Sequence, residues 1–142
     1  MIKKFLVAAA MSIALSAAML TPAQAAPAEP RDVLAIPSVT PSPEHWLHPR
    51  DQAEATDWVN NCADGRYCTW IRSNTGRYSF FQFYRCQEYA LSNWGGTSNY
   101  FNNQRGATVE LRGERHNLIR THSPGSKFIT NWDPVWFINL CA

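Results

Sequence analysis

The chain has 142 residues, with 13 Lys+Arg against 11 Asp+Glu and a formal net charge of +2. So small an imbalance gives no reason to invoke a polyanion, and no nucleic-acid partner is expected. Composition is uneven along the chain: all 7 glycines, all 4 cysteines and 15 of the 18 aromatic residues lie in residues 62–141, so the folded unit is expected to be small and C-terminal.

The N-terminus reads as an export signal. Lys3 and Lys4 precede an apolar run over residues 5–20, Thr21 and Pro22 break it, and Ala23-Gln24-Ala25 is a small-x-small site. This order predicts a signal peptide over residues 1–25, cleaved after Ala25, and a secreted product. An uncleaved anchor is the competing reading. The run falls short of the roughly 20 residues of a membrane span, and no other long apolar run follows. Cleavage would remove Lys3 and Lys4, leaving eleven bases against eleven acids and no membrane contact.

Residues 26–61 hold six acids (Glu29, Asp32, Glu44, Asp51, Glu54, Asp57) and two bases, Arg31 and Arg50. From Cys62 onward there are five acids and nine bases. Residues 27–49 contain six prolines and no glycine. Repeated proline stiffens the backbone towards an extended form and removes ladder donors. Residues 26–58 are therefore expected to be a Pro-rich acidic tail or linker, disordered at its start. It would act as a solvated spacer, or rest on the more basic domain, or be a removable pro-segment. Residues 51–59 suit one short helix, with Trp58 docking on the edge of a domain spanning residues 59–142.

Four cysteines in an exported chain suggest two disulfides, and three pairings are open. Cys62 and Cys68 are too far apart for a zinc knuckle, while Cys86 and Cys141 stand alone. The favoured pairing is Cys62–Cys68, closing a local loop, with Cys86–Cys141 tying the last strand to the first half.

Turn residues cut the rest into short strands, expected over residues 67–72, 78–84, 88–91, 98–102, 107–112, 117–121, 127–130 and 135–140. Val109 and Leu111 share one face, with Thr108, Glu110 and Arg112 on the other; Trp136, Ile138 and Leu140 also share a face. No helical period appears there. Two successive groups of four strands predict an all-β sandwich of paired Greek keys.

The order of residues resembles a known family. Cys62-Ala63-Asp64-Gly65-Arg66-Tyr67-Cys68-Thr69-Trp70 opens the domain, followed by Asn74, Gly76, Phe83 and Cys86. Leu91-Ser92-Asn93-Trp94 and Ser98-Asn99-Tyr100-Phe101-Asn102-Asn103-Gln104 complete the pattern. It is similar to peptidase inhibitor family I36, secreted actinobacterial proteins with a βγ-crystallin-like fold. The resemblance covers residues 62–141. It implies that Trp70 packs over a folded hairpin, that Gly76 takes a positive φ, and that Ser98 bonds back to that hairpin.

Four chemistries were weighed on these residues. The resemblance offers a calcium loop in Asn93, Thr97 and Ser98. Trp94 occupies the place of a second Asn or Asp and the loop holds no carboxylate, so a plain turn is expected, with no metal and no cofactor. Inhibition needs a rigid exposed loop. The braced second-half segment of the family's metalloproteinase inhibitor has no counterpart here, which leaves residues 92–97 or 122–127 as candidates. His116 with Glu114, or His122 with Arg120, would be the acid–base groups of a small hydrolase, yet they sit in short charged turns where solvated surface is the ordinary explanation. Arg72, Arg77, Arg85 and Arg105 lie among Tyr78, Tyr84, Tyr89, Trp94 and Tyr100 and offer a binding surface. Trp94 is expected to be its exposed anchor, while Phe80, Phe81, Phe83, Trp136 and Phe137 are expected in the core.

The reading is a secreted, monomeric, non-catalytic binding protein of the I36 type acting on an extracellular peptidase. The alternatives are an antimicrobial or killer-toxin-like module and a small secreted hydrolase.

Overall fold

The computed structural model describes residues 36–142; the expected signal peptide and the start of the expected tail lie outside them. Ten strands and one helix follow in order: β1 (Ser38–Thr40), β2 (His45–Leu47), α1 (Gln52–Asn60), β3 (Tyr67–Arg72), β4 (Tyr78–Phe83), β5 (Glu88–Ser92), β6 (Thr97–Asn102), β7 (Val109–Arg112), β8 (Leu118–His122), β9 (Lys127–Asn131) and β10 (Phe137–Leu140). Every strand expected from the turn spacing is present, and its ends move by two residues at most.

The strands form two antiparallel five-stranded sheets, ordered β1-β5-β10-β7-β8 and β2-β4-β3-β6-β9. The eight strands β3 to β10 divide into two successive sets of four. Each set keeps three strands together and lends its third to the other sheet. So β5 lies beside β10, in register Ile138 to Tyr89, and β9 lies beside β6, in register Ser98 to Thr130.

The segment expected to be a tail is instead part of both sheets from Ser38 onward. β1 pairs with β5, Val39 opposite Leu91, and β2 pairs with β4, Trp46 opposite Phe81. The density of proline suggested a spacer, but Pro37, Pro41, Pro43 and Pro49 all fall outside the strands, flanking them. Proline is tolerated beside edge strands because an outward N–H has no ladder partner to lose. Glu44, between the two strands, accepts a hydrogen bond from the Tyr84 amide at 2.7 Å and faces Arg85 at 3.4 Å.

The helix starts where Asp51 caps it, its carboxylate accepting from the Glu54 amide at 2.9 Å. Its Ala55 and Val59 pack with Cys62, Cys68, Trp70 and Phe80 on the outer face of the second sheet, and Trp58 meets Phe80 edge-on at 5.6 Å. Covering that face explains why β3 and β4 do not alternate. Tyr67, Ile71, Phe81 and Phe83 face the gap between the sheets, whereas Cys68, Trp70 and Phe80 face the helix.

The core between the sheets is aromatic. Trp94 lies against Phe81 at 4.7 Å and Trp132 at 5.1 Å, and Phe83 meets Tyr89 at 4.9 Å. Two bridges brace it, Cys62–Cys68 and Cys86–Cys141, the favoured pairing. They close loops of 6 and 55 residues, worth about 2 and about 4 kcal/mol on a chain-entropy estimate. Such bonds fit an oxidising, extracellular-type environment. Among the described residues no helix is long and apolar enough to cross a membrane.

Candidate functional site

The structure scatters the expected surface. Trp94, the expected exposed anchor, is 1% exposed. Its indole N–H donates to the Ser38 carbonyl at 3.1 Å, so β1 closes over the ring. The loop over residues 92–97 turns only Trp94 into the core and is tied down by its backbone. The Gly96 amide donates to Asp133 Oδ1 at 2.7 Å, and the Trp132 amide donates to the Gly96 carbonyl at 2.8 Å. Asn93 takes a φ of 62°, which Asn tolerates, and its side-chain amide donates to the Ile36 carbonyl.

Ser98 meets the β3–β4 hairpin on the β3 strand, at Thr69, rather than at its turn. It accepts from the Trp132 indole at 2.7 Å and lies 3.4 Å from the Thr69 hydroxyl. The hairpin closes on itself through Ser73, whose hydroxyl bonds Thr75 at 2.8 Å and accepts from the Arg77 amide at 3.1 Å. Gly76 takes a φ of 84°, and Trp70 meets Tyr78 edge-on at 5.5 Å beside that hairpin. Thr97 pairs with Asn131 across β6 and β9. Among the described residues no three His, Cys, Asp or Glu side chains are grouped to hold a metal.

The arginines part company. Arg105 is tied to Asp64, Arg85 to Glu44, and Arg72 lies over the Tyr78 ring at 5.7 Å. Arg77 lines a separate pocket near the chain's first described residue. Trp136 and Phe137 are half-buried rather than core, since β10 begins only at Phe137 and Val135 takes the inward place. Phe137 carries His116 stacked at 4.0 Å. Sequence spacing gave no hint of Trp132, fully buried against Trp94.

The acid–base pairs expected from the sequence are not assembled. His116 faces Glu88 at 3.2 Å. His122 is 1% exposed, its Nδ1 2.9 Å from the Tyr67 hydroxyl and its ring stacked on Tyr100 at 3.5 Å. Burial, with the Arg120 charge nearby, lowers its pKa to about 3, so the imidazole is neutral at any ordinary pH.

One surface does stand out. The sandwich has two lateral sides, each with two edge strands joined by a short connection. β8 and β9 form one of them, and they carry Leu118, Ile119, Phe128 and Ile129, all exposed. Large apolar side chains gathered on two adjacent edges are unusual for a protein without partners. Phe128 opposes Tyr100 in the register and so points toward the gap between the sheets, yet it is 67% exposed.

The connection between the two strands, within the candidate loop over residues 122–127, is pinned. The Asn102 amide donates to the Ser126 carbonyl at 2.9 Å, and the Gly125 amide donates to the Asn102 carbonyl at 2.7 Å. The Asn102 side chain donates to the His122 carbonyl at 2.9 Å, and Ser126 bonds back to Ser123 through its hydroxyl at 2.6 Å. Gly125 supplies the φ of 75° that closes the turn. A loop held by a buried asparagine loses little freedom on binding, which is what a recognition segment needs.

No family model, curated protein or solved structure matches the chain.

Proposed function

We propose that the protein is a secreted, non-catalytic binding protein of the peptidase inhibitor family I36 type, and that β8, the pinned turn and β9 are its contact surface for an extracellular peptidase. The exposed apolar pair of edge strands around that turn is the observation that carries the reading. Peptidase clefts hold chains in an extended form, and a rigid edge strand offers that form together with backbone groups not taken by a neighbour. Phe128 and Ile129 supply apolar side chains for the pockets.

Each set of four strands lending its third to the other sheet supports a double Greek-key, βγ-crystallin-like arrangement. Two disulfides and the N-terminal signal pattern support export.

Titration of a panel of secreted metallo- and serine peptidases tests the reading. Stoichiometric inhibition of one of them is expected, weakened by about tenfold or more in a Phe128→Ser/Ile129→Ser double variant. Asn102→Ala, which removes the side-chain bond to the His122 carbonyl and leaves the two backbone bonds, should weaken inhibition to a smaller extent. A chain that leaves every peptidase active while arresting fungal or bacterial growth would replace this reading with the toxin-like alternative.

A further inference from the structure

At the end of the β3–β4 hairpin three segments converge that are distant in sequence. They are the approach to β1 (Ile36 and Pro37), the β2–α1 connection (His48 to Arg50) and the hairpin itself. They enclose a cavity of about 410 Å³, within the range of small-ligand sites. Its walls include Arg50, Arg77, His48 and Tyr78, and no aspartate or glutamate.

The two guanidinium groups are not equivalent. Arg50 is engaged by Glu54 at 3.2 Å and lies near Asp51, so its charge is largely answered. Arg77 has no acidic partner among the described residues, and its backbone is fixed by Ser73 on both sides, the amide at 3.1 Å and the carbonyl at 2.8 Å. Arg72, over the Tyr78 ring, adds a second cation beside the cavity. Ser73 and Ser79, both buried, belong to the same wall, and Ile36, Pro37 and Tyr78 supply apolar surface.

We infer that this cavity binds a small organic anion, its carboxylate or phosphate seated on Arg77 and its ring or aliphatic body against Tyr78 and Ile36. A planar guanidinium suits either oxyanion in a two-pronged contact. The site is separate from the β8–β9 surface, so the two proposals stand or fall independently.

Amide chemical shifts followed by NMR during titration with sodium glucuronate, inorganic phosphate and glucose test it. Glucuronate should give saturable shifts confined to residues 73–79 and the residues near His48, phosphate weaker shifts at the same amides, and glucose none. Arg77→Ala should weaken glucuronate binding by about tenfold or more, a loss typical of removing a charged partner, while Arg105→Ala should leave it unchanged. Equal shifts with glucose, unaltered binding in Arg77→Ala, or no saturable shift with any probe would overturn the inference. The folded spectrum of Arg77→Ala, whose side chain is exposed, guards against misfolding.

Discussion

The two lateral sides of the sandwich solve the same problem differently. On one side β1 and β2 are three residues long and flanked by proline; β1 buries Val39 and the Trp94 ring behind it, while β2 leaves Trp46 and Leu47 exposed. On the other, β8 and β9 run for five residues each, hold no proline and expose four large apolar side chains. Short strands and nearby prolines are the usual way to blunt a sheet edge against unwanted pairing. On the first side the core is closed over by β1, through Val39 and the Ser38 carbonyl on Trp94. The second presents longer strands and a fixed turn, the features on which the proposed contact rests.

The sharpest test removes the seal. Trp94→Ala would leave a large cavity between Phe81 and Trp132 and free the Ser38 carbonyl. A loss of about 3–5 kcal/mol in urea unfolding is expected. A loss below about 1 kcal/mol, the range of an ordinary surface site, would mean that β1 does not depend on the ring.

Acid probes the interior behind the open side. His122 has a folded-state pKa of about 3, below the ordinary value of 6.5. The unfolded chain therefore takes up its proton first as pH falls, and stability drops between 6.5 and 3, by about 1.4 kcal/mol per unit from this group. From neutral pH to about pH 4.5 this amounts to roughly 3 kcal/mol. Unfolding curves at the two pH values should show a smaller drop in His122→Phe, which has no proton to gain. An equal drop in both proteins would place the acid sensitivity elsewhere.

The smallest expected effect is on the open surface itself. Phe128→Ser/Ile129→Ser should change stability by no more than about 0.5 kcal/mol, because both residues are already in water. Were it to destabilise the fold as Trp94→Ala does, the two sides would not differ as described.

The strands of the two four-strand sets were legible because Gly, Pro or Asn marks every turn between them except residues 84–87. The disulfide pairing was legible because the short loop from Cys62 to Cys68 left Cys86 and Cys141 for each other. The N-terminal strands were not. A three-residue strand has no period to detect, and the prolines that protect such an edge look the same as the prolines of a linker. The misplacement of Trp94 follows from that one omission: a tryptophan between turn residues reads as exposed unless a strand arrives from 56 residues earlier to cover it. His122 was misread for a related reason. In sequence it sits beside Ser123-Pro124-Gly125, a surface signal, but β8 carries its ring inward onto Tyr100 while its carbonyl stays at the turn. The apolar edges left a faint trace in Leu118-Ile119 and Phe128-Ile129, which a hydrophobic pattern alone assigns to the core.

The strand exchange also sets the order in which the molecule can be completed. β10 lies in the middle of its sheet, with β5 and β1 on one flank and β7 and β8 on the other. Until it is in place that sheet exists only as two loose pairs, and the first set of four strands has its third member stranded without a neighbour on that flank. A chain delivered from its N-terminus can thus gather its parts early but cannot close until its last strand arrives. Long-range pairing of this kind makes for slow assembly. The bond between Cys86, just before β5, and Cys141, just after β10, then works as a latch that can engage only on a finished molecule.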